Sequence, residues 1–553
     1  MTKAVSSLTL TSRFSFSTFA IRHSTFPFMA NRLLIRGGSV IDGTGAPRRT
    51  ADMLIDDDRV VDIGQLKVAD ATVVDATGLV VAPGFVDVHN HSDGWLLKTG
   101  QQAAKTTQGF TTELLMSDGI SYAPVSDETV REWMYYLKTL DGLEQSDYCG
   151  WQSIADFMSL LDGRVAQNVV AQIPYANVRS LAMGWRNAVP DDTQLRHMQI
   201  EVHEAMQAGA TGVSTGLDYI DQCFASTSEI AEVCSAAAEF HGVYVTHIRY
   251  KKGLLPALRD AVDIGKRSGL AVHISHLKAV NTPDLEAILD YIDRVAVNEV
   301  DFTFDVYPYM PGSTMLNYYL PLEVWEDGPL AAMGKLNSPA VRRRFGAFLA
   351  SDMAPDFKKV FFAWMPTRNH EEWKGRTVAE YIEQSGREPA DALCDLLIEE
   401  NLRVLMVAHL DDDHFIEPFL RHPRFMLGSD GIWQPDGIIH PRQYGSAPRI
   451  LGMMVRDKKL FSLEESVRKM TSMPSRRFGL KDRGELRPGA FADVVVFDPA
   501  TIADHGTYTD PQQYSTGVKH VLVNGQFVVR DGQPIETFAD GWPGRALKYE
   551  PGK

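Results

Sequence analysis

VAPGFVDVHNHSDG, residues 81–94, is the stretch on which the reading of the fold turns. Its centre, Phe85-Val86-Asp87-Val88, is a short apolar run that reads as a buried strand. The run gives out at His89 and supplies a second imidazole at His91. Positions i and i+2 of an extended chain face the same way. Two imidazoles therefore leave one strand end side by side, at a spacing that suits one metal ion. An isolated His-x-His is more often an accident than a site. What reverses those odds is that ligand types recur at the ends of later apolar runs.

Working outward, strands and helices alternate along the chain. Strand candidates fall at 85–91, 111–117, 168–174, 209–216, 242–248, 270–276, 302–309 and 424–430. Eight such runs separated by helical stretches predict a (β/α)8 TIM barrel, whose reactive groups gather at the C-terminal ends of the strands. Ser226-Thr227-Ser228-Glu229 predicts a capped helix over 228–240 that stops at Gly242. Thr282-Pro283-Asp284 predicts another start, with Thr282 as the cap and Pro in the first turn. One gap, about residues 313–405, is too long for a simple helical return. It predicts an inserted subdomain after the seventh strand, placed to wall the active-site face.

The strand ends supply the chemistry. The first ends in His89 and His91, the second in Asp118, the fifth in His247, the sixth in His276 and the eighth in Asp430. Four imidazoles and two carboxylates form an N/O donor set suited to Zn²⁺ or a similar divalent ion. His273, three residues before His276, is expected on the other side of its strand, as core or support. His409 and His414 flank an acidic run that reads as a solvated turn, and His440 is a candidate for the pocket wall.

Short β-rich runs precede the first barrel strand, at 31–41 and 51–64, and similar material returns at 484–499 and 517–532. The last contains Asn524-Gly525 between apolar runs, a strong hairpin signal. Both termini are thus expected to build one small β-domain, residues 29–83 and 476–553, around a hydrolase barrel at 84–475. Residues 1–41 contain no Asp or Glu. Residues 1–28 read either as an organellar targeting segment or as sequence upstream of a true start at Met29, and are set aside from the fold.

The 553 residues, 44% of them hydrophobic, can bury a large core. A net charge of −16 argues against a nucleic-acid partner. No apolar run is long enough for a transmembrane helix. Cys149, Cys223, Cys234 and Cys394 form no CxxC pair and read as buried thiols of a reducing compartment, hence a cytoplasmic location unless the N-terminus is a transit peptide.

The ordered series PGFVDVHNHSD, QGFTTELLMSDGISYAPV, GATGVSTGLDY, VTHIRY, HISHLK, DVYPYMPGST, GSDG with HPRQYG, and GELRPGAFADVVVFDP resembles the amidohydrolase superfamily. Within it the chain is similar to the D-aminoacylase, or N-acyl-D-amino-acid deacylase, family from about residue 31 to about residue 532. The resemblance implies a (β/α)8 barrel with a β-domain from both termini and an insertion after the seventh strand. It implies His247 and His276 as ligands of a tightly held Zn²⁺, and His89 and His91 at a second, weaker site. It also implies Asp430 as catalytic acid/base, and Lys278, Tyr309 and Arg442 as contacts of the substrate carboxylate.

One departure stands out. The family's shared metal ligand at the end of the second strand is a cysteine, and here the residue is Asp118. A carboxylate is harder than a thiolate and can bridge two ions, so ion number and preference are open. No lysine stands at the end of the third or fourth strand to form a carboxylated bridge. The implied activity is metal-dependent hydrolysis of N-acyl-D-amino acids, with a small-molecule N-acyl amino acid as the partner and homo-oligomer formation left open. The alternatives are a cyclic amidohydrolase acting on hydantoin- or dihydropyrimidine-like rings, and a non-catalytic scaffold.

Overall fold

The structure is a computed structural model that describes residues 32–409, 413–539 and 541–550. The expected targeting segment or upstream sequence at 1–28 lies outside the described residues, as do Asp411 and Asp412 of the acidic turn. The fold is mixed α/β.

A nine-stranded sheet draws on both ends of the chain. Its junction is the antiparallel pair Val80–Pro83 with Val494–Phe497, where Val495 faces Ala82. The strand Val518–Val523 turns back as Gln526–Arg530 through Asn524 and Gly525, with φ of 48° and 79°. Two successive left-handed residues match the right-handed twist of a two-residue hairpin.

The eight expected runs each contain a strand. In chain order these are Phe85–Asp87, Phe110–Leu115, Asn168–Ala171, Gly212–Gly216, Val243–His247, Ala271–Ile274, Phe302–Val306 and Phe425–Leu427. Neighbours in this order run parallel: Val86 pairs with Thr112, Thr112 with Asn168, Gly216 with His247, Thr246 with Ile274, Ile274 with Phe304 and Val306 with Leu427. Between the third and fourth strands, Thr211 N donates to Ala171 O and Ile173 pairs with Val213. The eighth returns to the first through Val88 N to Leu427 O (3.4 Å) and Asp430 N to His89 O (2.8 Å). Just beyond, Asn90–His91 pairs in parallel with Gly431–Ile432. Nearly every residue of these strands is buried, as expected of parallel strands covered on both faces.

Between the seventh and eighth strands lies a small antiparallel sheet of Gly312–Met315, Leu405–Ala408 and Val360–Trp364. Four α-helices, Pro329–Lys335, Pro339–Leu349, Val378–Ser385 and Pro389–Glu399, fall within residues 312–408.

Several expectations are corrected in detail. The helix Thr227–Cys234 is capped by Ser226, whose hydroxyl accepts from Glu229 N, and the following 3-10 turn ends on left-handed His241 rather than Gly242. The cap of Thr282–Tyr291 is Asn281, not Thr282, because its amide oxygen reaches Asp284 N. Residues 545–547 do not join the nine-stranded sheet: Val169 N donates to Arg545 O and Leu547 N to Val169 O, against the third parallel strand. All four cysteines are free, but Cys149 is exposed and Cys223 only partly buried. Among the described residues no helix is long and apolar enough to cross a membrane.

Candidate metal centre

The six strand-end side chains converge. His89 Nε2 lies 3.5 Å from Asp118 Oδ1 and 3.7 Å from Asp430 Oδ1. His91 Nε2 lies 3.4 Å from Asp430 Oδ1 and 3.8 Å from Asp118 Oδ2. His276 Nε2 stands 3.8 Å from Asp118 Oδ1 and 3.2 Å from His247 Nδ1. Two overlapping triads, His89-Asp118-His276 and His89-His91-Asp430, each bring donor atoms close enough to share one ion. His247 belongs to neither triad and joins the cluster through His276.

Each imidazole also has an outer partner, which the sequence did not disclose. Asp305 Oδ2 lies 3.8 Å from His89 Nδ1, Asp141 Oδ1 3.6 Å from His91 Nδ1, and Asp218 Oδ2 3.5 Å from His247 Nε2. Tyr250 Oη lies 3.3 Å from His276 Nδ1. A carboxylate behind a ring fixes its orientation and makes the inward nitrogen a better ligand. Asp305 does more: its other oxygen accepts from His276 N at 2.9 Å, and it also meets His273 Nε2 at 3.0 Å. His273 therefore supports the centre from outside.

Asp118, His276 and Asp430 have φ of 57°, 37° and 48°. Non-glycine residues seldom adopt this region, and its concentration here fits backbone strain held at a functional site.

Burial opposes a charge on His89, but Asp118, Asp305 and Asp430 outweigh it and lift the imidazole to about 9. Against the same burial, Asp141, Asp430 and Asp118 lift His91 to about 10. Burial likewise opposes ionisation of Asp118 and Asp430, yet His89 and His276 around the first, and Arg442 and His91 around the second, hold both carboxyls well below the usual carboxylate range. The field calls for positive charge. A divalent ion answers it while leaving the imidazoles neutral as ligands. The unsatisfied inward atoms agree: His89 Nε2 and Asp118 Oδ1, which face the cluster, are buried without a hydrogen-bond partner. Such atoms are costly in a folded protein unless something binds them.

A cavity of about 340 Å³ opens onto the cluster and is lined by His91, Asp118, His247, His276 and Asp430. The three expected carboxylate contacts fare differently. Lys278 lines the cavity, but its Nζ donates to the carbonyls of Tyr309, Met310 and Pro311 at 2.9, 3.1 and 3.2 Å. Arg442 is fully buried, with Nη1 2.8 Å from Asp430 Oδ2 and Nη2 donating to Ser313 O. Tyr309 turns away: its hydroxyl donates to Asp504 Oδ2 at 3.1 Å, and Tyr307 lines the cavity instead. His440 Nε2 donates to Pro311 O at 3.0 Å while its Nδ1 accepts from Arg442 N, and the ring is buried behind Tyr307 rather than in the lining.

The D-aminoacylase of Alcaligenes xylosoxydans xylosoxydans is 33% identical over 520 residues, covering 93% of this chain and 97% of that protein. The N-acyl-D-glutamate deacylase of Bordetella bronchiseptica, solved with zinc and a phosphonate mimic of the tetrahedral intermediate, superposes with a TM-score of 0.78 at 32% identity, covering 93% and 99% of the two chains. A D-aminoacylase structure concerned with its binuclear metal centre superposes with a TM-score of 0.78 at 31% identity, covering 94% and 100%. Residues 72–529 match the amidohydrolase family, and the chain belongs to it.

Proposed function

We propose that the protein is a zinc-dependent hydrolase that cleaves the amide bond of N-acyl-D-amino acids to a carboxylate and a free D-amino acid. The observation that carries this reading is the cluster of His89, His91, Asp118, His247, His276 and Asp430, with its unsatisfied inward atoms, in a chain similar over nearly its full length to D-aminoacylase. The parallel strands are read as one closed (β/α)8 barrel. The hydrogen bonds from Val88 to Leu427 and from Asp430 to His89 support that closure. The nine-stranded sheet is read as the β-domain of both termini, and residues 312–408 as the insertion that walls the cavity.

In this reading His247 and His276, with Asp118, hold the tighter ion, and His89 and His91 serve a second site. Asp118 stands between the two sets and replaces the cysteine of the family pattern. When bound, zinc supplies Lewis acidity toward water and toward the amide carbonyl.

The chain's own residues do the rest. Asp430 is ionised, and one of its oxygens faces His91 while the other is held by Arg442. It accepts a proton from the attacking water as the new C–O bond forms. It returns that proton to the nitrogen as the C–N bond breaks, so acid and amine leave with all atoms accounted for. Lys278 would meet the free α-carboxylate from the cavity wall, and Arg442, now held on Asp430 behind that wall, would offer its planar fork by turning toward the same group. Tyr309 has no direct part in this scheme.

The test is a zinc-reconstituted enzyme offered N-acetyl-D-amino acids, their L-enantiomers, hydantoin and dihydrouracil. The expected result is release of acetate from the D-substrates and copurification of zinc. Ring opening without deacylation would favour the cyclic-amidohydrolase alternative.

A further inference from the structure

The deacylase reading leaves the amino-acid side chain unspecified, and sequence identity does not decide it, since relatives at 33% and 32% identity are a D-aminoacylase and an N-acyl-D-glutamate deacylase. The lining of the cavity does. Resting on the deacylase reading, we propose that this cavity selects N-acyl amino acids with an uncharged, apolar side chain and rejects those with an acidic one.

Beyond the metal cluster, the wall includes Leu140, Val280, Met406, Ala408 and Ile432. The rings of Tyr219, Tyr250, Tyr307, Tyr318 and Tyr319 line it as well, with Gly312, Thr314 and Ser313, whose hydroxyl donates to Met406 O at 2.7 Å. The polar tips of two of these rings are engaged: Tyr219 Oη pairs with Thr314 Oγ1 at 3.1 Å, and Tyr318 Oη donates to Asp218 Oδ2 at 3.1 Å. An acidic substrate brings two carboxylates. Lys278 is the one lysine or arginine among the described lining residues, and its ammonium is already shared among three carbonyls. Arg442 lies behind the wall on Asp430. Lys251 is outside the lining, 4.2 Å from the centre of the Tyr318 ring, with Nζ donating to Tyr318 O. With Lys278 and Arg442 both turned to the α-carboxylate and the metal engaged with the scissile amide, a second carboxylate would lie against this wall without a side-chain cation. A buried charge without a partner is strongly disfavoured. An apolar side chain gains from the same wall by leaving water.

The experiment compares kcat/KM of the zinc-loaded enzyme for N-acetyl-D-methionine and N-acetyl-D-phenylalanine with that for N-acetyl-D-glutamate and N-acetyl-D-aspartate. The apolar pair is expected to lead by at least about a hundredfold. A readout free of turnover is calorimetric binding of the products, with D-methionine bound more tightly than D-glutamate. Val280→Lys gives a gain-of-charge test at a tolerant position, since Val280 is 42% exposed. It is expected to narrow the ratio of methionine to glutamate substrate about tenfold or more. Equal or preferred cleavage of the acidic substrates overturns the inference while leaving the deacylase reading intact. A ratio unmoved by Val280→Lys removes Val280 from the selecting wall and overturns the assignment. Cleavage of none of the four substrates overturns the deacylase reading and this inference with it.

Discussion

At the scale of the residue, the decisive position is Asp118. It contacts His89, His91 and His276 at once, each within 3.8 Å, and so joins the two potential ion sites. If Asp118 is the proposed shared ligand, Asp118→Ala is expected to lower zinc content and abolish turnover, because it removes the carboxylate that both proposed ion sites share. Asp118→Cys should retain part of both, since a thiolate can fill the same coordination position. Metal analysis with a deacylation assay checks this. Normal zinc and normal rate in Asp118→Ala would remove it from the ligand set. The six inner residues were legible because imidazoles and carboxylates at successive strand ends are rare together. Asp141, Asp218 and Asp305 were not, although Asp218 and Asp305 stand in quoted motifs. An aspartate declares itself a partner of an imidazole only when tertiary packing brings the two together. Tyr309 came from the family resemblance alone, and its hydroxyl donates to Asp504, a partner that no local pattern announces.

At the scale of the element, apolar runs located all eight parallel strands, and Asn524-Gly525 located the hairpin. The sheet within 312–408 was not legible, because its strands are separated by helices and their pairing is not local. A second illegible feature fastens the first strand to the eighth. Asp87, at the end of the first, accepts from Ser429 N at 2.8 Å and from Lys105 Nζ at 2.6 Å, and Lys105 also meets Ser429 Oγ. Lys105 and Asp87 have no solvent exposure, and Ser429 precedes Asp430. The pair thus fixes the segment that carries the proposed acid/base. Lys105→Met strands a buried carboxylate and is expected to destabilise the fold by about 3–5 kcal/mol. Replacing both partners, as Lys105→Met with Asp87→Leu, should recover part of that loss, because no charge is left unpaired. Urea titration measures both variants. A loss below about 1 kcal/mol in Lys105→Met would show that the carboxylate is satisfied without the lysine.

At the scale of the whole molecule, the two ends of the chain meet in one sheet, and the segment before its C-terminal half is packed on the eighth strand. Lys469, on the helix Leu463–Met470, makes that attachment. It is 1% exposed and donates to Leu420 O at 2.8 Å and His422 O at 2.7 Å, between the rings of Phe425 and Phe461. Burial pushes its ammonium down to about 8, with Glu465 opposing and Arg468 assisting. The unfolded chain keeps an ordinary lysine, so between about pH 8 and 10.5 it binds the proton that the folded chain has released. Stability from this group therefore rises with pH across that window, by at most about 3 kcal/mol. Below pH 8 both states are protonated and the contribution is flat. Lys469→Met removes the titration, so the gap in Tm between the natural chain and the variant should move in favour of the natural chain from pH 8 to pH 10. Taking the difference cancels the tyrosines and cysteines that also titrate there. A gap that stays constant with pH would mean that the two carbonyls hold Lys469 charged throughout, and that the ammonium is an ordinary buried cation.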